Sequence, residues 1–144
     1  MAALGNRGVT LVGMRRFDEA IIAHRQALAI CPKLDERHVE GRVLDDLGDA
    51  LRETRRFDEA ITAHQQALAI YREFNDHRGE AMALRHLAIA PRETRQFNEA
   101  ITTFRQAATH FRAFGDRLRE GMTLNSVGLA LRQTRALRCS QWVT

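Results

Sequence analysis

The chain has 144 residues, 44% of them hydrophobic and 28% charged, the balance of an ordinary globular protein. No window approaches the roughly 18 consecutive apolar residues of a membrane span, and two lone cysteines, Cys31 and Cys139, make neither a disulfide framework nor a four-ligand zinc site. The net charge of +4 invites a nucleic-acid reading, but Lys33 is the only lysine among 22 basic residues, an arginine bias that a GC-rich genome produces without functional selection.

In chain order, Leu4, Gly8 and Leu11 come first, spaced as on one face of a short helix over 3–13. A repeat follows. Residues 15–54 open on Arg15-Arg16-Phe17-Asp18-Glu19-Ala20-Ile21, and residues 55–94 open on Arg55-Arg56-Phe57-Asp58-Glu59-Ala60-Ile61. Without gaps these blocks agree at 21 of 40 positions, and residues 95–134 agree with the second block at 17 of 40. The period is therefore 40 residues, with a nonconforming tail over 135–144.

Each period holds two helical stripes. Phe57, Ala60, Ile61, His64, Leu68 and Tyr71 step by three or four along one face. Asp58 and Glu59 stand where the helix dipole favours negative charge. Asn75-Asp76 and Gly115-Asp116 mark turns. The second stripe runs through Leu44, Leu47 and Leu51 in the first block and Leu124, Val127 and Leu131 in the third. Gly48 and Gly128 beside it would let a neighbouring helix approach closely. Counting 3–13, three helices of the first kind, and helices near 37–53, 77–93 and 117–134, the chain is expected to be all-α, with about seven helices stacked as antiparallel pairs.

Two departures from the repeat carry expectations of their own. Pro91 takes the slot of Leu51 and Leu131. Inside a helix proline removes a hydrogen bond and clashes with the preceding turn, so it should kink or shorten the helix beginning near 77 and make a weak point for helix exchange with a second copy. After Arg135 the expected Phe-Asp-Glu-Ala-Ile is replaced by Ala136-Leu137-Arg138 and a tail through Trp142. Either the helix near 117–134 closes the array and the tail is disordered, or the chain is part of a longer array.

The run Leu44-x2-Leu47-Gly48-x2-Leu51, followed by Ala60-x3-His64-x2-Ala67, resembles the tetratricopeptide repeat signature. Ala20-x3-His24-x2-Ala27 before Pro32, and Ala100-x3-Phe104-x2-Ala107, repeat its second half. The resemblance covers about residues 4–134. The 40-residue period is similar to Leu-Gly-Asn-type adaptor repeats and to the arrays of bacterial regulators. It implies a right-handed superhelical solenoid, a cytoplasmic location, and a protein or peptide ligand in a concave groove lined by the helices near 37–53, 77–93 and 117–134. Carried over residue by residue, the groove candidates are Asp45, Asp49 and Arg52, then Arg85, Ile89 and Arg92, then Asn125, Leu129 and Arg132.

Arg52, Arg92 and Arg132 recur at the period. Their forks would pair with carboxylates of an acidic or mixed-charge ligand. Arginine in a last helical turn also suits the helix dipole, and duplication copies a residue whether or not it is used. No phosphate-binding glycine loop, nucleophile elbow or His-Glu-x-x-His occurs. No pair of histidines or cysteines has metal-ligand spacing, and His24 and His64 fall in a core stripe. Catalysis, cofactors and metals are not expected. Nor is nucleic acid, because the aromatics needed for stacking lie in the core stripes. An interaction scaffold is the leading expectation. The alternative is a peptide-sensing regulatory module whose oligomeric state, through open array ends or exchange near Pro91, changes on binding.

Overall fold

The computed structural model describes residues 16–31 and 36–143. Among them there are six helices and no strand: α1 (Phe17–Ile30), α2 (Arg37–Glu53), α3 (Phe57–Glu73), α4 (His77–Glu93), α5 (Phe97–Ala113) and α6 (Arg117–Val143). The fold is all-α, six helices rather than about seven; the helix expected over 3–13 lies outside the described residues. The chain forms two compact units, residues 1–79 and 80–144. In the first, α2 packs against both α1 and α3, with Ala20, Ile21, Leu47, Ala50, Leu51, Ala60 and Ala63 as its core. In the second, α5 packs against α6, and Ala88 of α4 joins Phe97, Ala100, Ile101, Phe104, Val127 and Ala130 in one cluster.

The turns repeat at the same period as the helices. Arg55 and Arg95, and likewise Asn75 and Gly115, are the residues with positive φ among the described ones. Each ends a helix by letting the chain double back. The Arg56 amide donates to the Leu51 carbonyl at 2.9 Å, the Gln96 amide to Pro91 at 2.7 Å, and the Asp116 amide to Phe111 at 2.9 Å. These bonds satisfy carbonyls that a helix end would otherwise leave open. Only Gly115 adopts the left-handed conformation without a Cβ penalty. After Asn75 and Gly115 the next helix is capped by an aspartate: the Gly79 amide donates to Asp76 at 2.9 Å and the Arg119 amide to Asp116 at 3.1 Å. Burial alone would raise the Asp76 pKa, but the hydrogen bonds from Gly79 and from His38, 3.1 Å away, hold it below the usual carboxylate value.

Pro91 does not shorten its helix. α4 spans 17 residues, the same length as α2, and Pro91 is buried in its last turn. That position limits the damage. The missing N–H deprives only the Leu87 carbonyl of its partner four residues on, while the Pro91 carbonyl accepts from Thr94 and Gln96.

The last helix is longer than expected. α6 runs 27 residues to Val143, through most of the nonconforming tail. Where the earlier blocks place a turn and a first helical turn carrying an acid, Arg135-Ala136-Leu137-Arg138 supplies good helix formers and no acidic start. Leu137, half-buried, packs against the Phe97–Phe104 cluster.

Candidate groove and the histidine beneath it

The residues assigned to the groove divide by what they touch. In the first unit Asp45 is buried rather than exposed. Its Oδ1 lies 2.7 Å from Nδ1 of His64, which reaches over from α3, and the other ring nitrogen stands 3.7 Å from Asp49. Asp49 is half-buried. Arg52, also half-buried, pairs with Glu53 at 3.1 Å. Asp45 thus holds an imidazole that occupies a core position, with Asp49 beyond hydrogen-bond distance of its other nitrogen, and a ligand would find little of Asp45 to contact. Close approach makes the arrangement feasible: a Cβ on Gly48 would meet three atoms of the His64 ring at 2.5–2.7 Å.

The same slot is solved differently in the second unit. There Phe104 replaces His64, and Ile89, in the register of Asp49, packs against the cluster containing Phe104. Arg85, in the register of Asp45, is half-buried with its Nε enclosed and without a hydrogen bond among the described residues. Ile89 is thus a packing residue before it is a ligand contact.

His24, the first block's counterpart, is fully buried, and neither ring nitrogen has a hydrogen-bond partner among the described residues. Burial lowers its pKa below 6.5, an effect that the charge of Asp49 partly offsets. The unfolded chain therefore takes up a proton near pH 6.5 that the folded chain resists, and stability is complete above that value and declines as pH falls through it. The melting temperature should drop between about pH 7.5 and about pH 5.5, and His24→Phe should make that drop smaller. An unchanged pH dependence in the variant would assign the loss to other groups.

The remaining candidates converge. In the second unit Arg92, Leu129 and Arg132 line one open groove of about 410 Å³ together with Gln133 and Ala136. Leu129 and Arg132 are exposed, and Arg92 is half-buried. Asn125 is exposed one turn before Leu129 on the same helix. The groove offers two guanidinium forks, one amide and an apolar floor, which suits a carboxylate beside an aliphatic side chain. Ala136 escaped the sequence reading because the helix was expected to end near 134, and Gln133, inside that helix, was not among the candidates carried over. Their spacing from Leu129 and Arg132, four residues in each case, places them on the same face.

The tetratricopeptide repeat profile matches residues 1–73 and again 41–113. The two matches are offset by 40 residues at both ends, the period of the chain itself. The chain belongs to the tetratricopeptide repeat family. Repeats of this family generally mediate protein–protein interactions and are in general non-catalytic scaffolds. The pairing of α2 with α3 and of α5 with α6 is the helix-pair packing of tetratricopeptide repeats, with His64 and Phe104 in equivalent core positions. Among curated proteins no match to the chain was found. No helix among the described residues is long and apolar enough to cross a membrane.

Proposed function

We infer that the chain is an interaction scaffold that holds an extended partner segment of acidic or mixed charge in the groove of its second unit. The observation that carries this reading is the convergence of Arg92, Leu129 and Arg132 on one 410 Å³ groove. Two guanidinium groups there can each take a carboxylate through paired hydrogen bonds, and Leu129 takes an aliphatic side chain. Asp45, buried and bonded to His64, offers a ligand little to contact. The charges lining the groove of the second unit are both positive, Arg92 and Arg132. A cytoplasmic regulator would be a fitting setting for such a scaffold.

The test uses a fluorescein-labelled peptide of alternating glutamate and leucine, titrated with the full chain and followed by anisotropy. Arg132→Ala should weaken binding about tenfold, the loss of one charge-assisted contact of roughly 1.5–3 kcal/mol. Added salt should weaken it further. A peptide with glutamine for glutamate should bind poorly. Equal binding of the glutamine peptide, or no effect of Arg132→Ala, would remove the groove from the account.

A further inference from the structure

Two residue types recur at four corresponding positions along two helices: Gly41, Leu44, Gly48 and Leu51 of α2, and Gly121, Leu124, Gly128 and Leu131 of α6. In α2 all four are buried, and α3 covers the stripe. A Cβ on Gly41 would meet Ile70 at 2.9 Å, and one on Gly48 would meet His64. Leu44 and Leu51 are 6% and 2% exposed. The corresponding stripe of α4 (Ala81, Leu84, Ala88 and Pro91) is buried too, and Ala88 lies against Phe97 and Phe104 of α5. On α6 the same stripe is bare. Leu124 and Leu131 are 41% and 45% exposed, and a Cβ on Gly121 or Gly128 would meet nothing within 4 Å among the described residues.

We propose that this stripe of α6 docks an acidic amphipathic helix from a partner protein, seated as α3 is seated on α2. The fold itself states the shape of the occupant. An antiparallel helix must set a ring over Gly128, as His64 sits over Gly48, and a branched aliphatic residue six positions on over Gly121, as Ile70 sits over Gly41. The two glycines let the backbones approach and the two leucines supply the apolar flanks.

Charge selects the partner's sign. α6 carries five arginines, at 117, 119, 132, 135 and 138; Arg117 pairs with the buried Glu120, the helix's single carboxylate, and Arg119 with Asp116, while Arg132, Arg135 and Arg138 lie at and beyond the Leu131 end of the stripe. A second copy laying its own α6 on this face would bring arginine against arginine, which disfavours a symmetric pair. The helix that covers α2 is itself acidic, with Asp58, Glu59 and Glu73 against Arg72. As a cap the stripe is ill suited, because a helix closing a repeat array presents a polar outer face.

The probe is a peptide of residues 57–73, the α3 sequence, with a hydrocarbon staple joining the positions of Thr62 and Gln66, both exposed in the fold, so that it is helical in isolation. Its anisotropy should rise saturably with the full chain. Gly128→Leu, at a site with open space around it, should leave the circular dichroism spectrum intact, raise rather than lower the melting temperature, and weaken binding at least about tenfold, because the side chain stands where the partner's ring must pass. Replacing Asp58, Glu59 and Glu73 by their amides should weaken binding about fivefold at low salt and less at high salt. No binding at millimolar peptide, or binding indifferent to Gly128→Leu, overturns the proposal. So does wild-type self-association in sedimentation that Gly128→Leu abolishes, since the occupant would then be a second copy.

Discussion

Gly48→Ala should destabilise the protein by about 3 kcal/mol, whereas Gly128→Ala, the same substitution two periods later, should stabilise it by about 1 kcal/mol. Both glycines lie within helices, and alanine in place of an unconstrained helical glycine gains roughly 0.8–1.0 kcal/mol of helix propensity. Nothing opposes that gain at Gly128, where the new methyl meets no atom within 4 Å. At Gly48 it would sit 2.5–2.7 Å from three atoms of the His64 ring. The ring is 1% exposed and anchored at 2.7 Å to Asp45, so it is no flexible tip that swings aside. Overpacking of this kind costs about 1–3 kcal/mol. Displacing the ring from a buried carboxylate costs a further 1–3 kcal/mol. Thermal unfolding followed by circular dichroism checks the pair. A rise for both variants would show that α3 stands further from α2 than the structure places it.

The contrast between these glycines also marks how far the sequence could be read. The 40-residue period and the spacing of Phe57, His64, Leu68 and Tyr71 placed the helices, and Gly48 was readable as a close-approach site from its place beside Leu44, Leu47 and Leu51. Gly128 has the same sequence surroundings. Whether a helix covers it depends on residues 135–143, where a missing turn and a missing acidic start let α6 run on. That is a property of the following segment, invisible at Gly128 itself. Pro91 shows the converse: its cost depends on how many turns remain after it, and only the last three residues of α4 include it or follow it.

The burial of Asp45 went unforeseen for a related reason. A carboxylate on a predicted helix face reads as solvent- or ligand-facing, because carboxylates are almost never fully buried unless paired. The exception required is a partner, and the partner was in view: a histidine in the core stripe. The signal lay between blocks rather than within one. His64 accompanies Asp45 and Asp49, while Phe104 accompanies Arg85 and Ile89 at the corresponding positions. Each ring type goes with side chains able to satisfy it. Arg92, Leu129 and Arg132 carried no such conflict, and the structure brings them to one groove.

The pairing of ring and facing residues makes an expected outcome of its own. His64→Phe should destabilise the protein by about 3 kcal/mol, although phenylalanine is the larger hydrophobe and already serves at position 104. The imidazole's bond to Asp45 would vanish while the carboxylate stayed 8% exposed, and removing one partner of a buried pair costs about 3–5 kcal/mol. The apolar gain of the new ring offsets part of that. Adding Asp45→Arg and Asp49→Ile to His64→Phe transfers the complete second-block solution into the first. The triple variant should recover more than half of the loss, because no buried carboxylate is then left beneath the ring and the isoleucine packs on its face. Phe104→His, the reciprocal change, should cost a similar amount, since Ile89 and Arg85 offer the imidazole no acceptor. Chemical denaturation of the wild type, His64→Phe, the Asp45→Arg/Asp49→Ile variant and the triple variant measures the coupling as a cycle. If the triple variant is no more stable than His64→Phe alone, the ring and the two facing positions act independently and the paired reading of the slot fails.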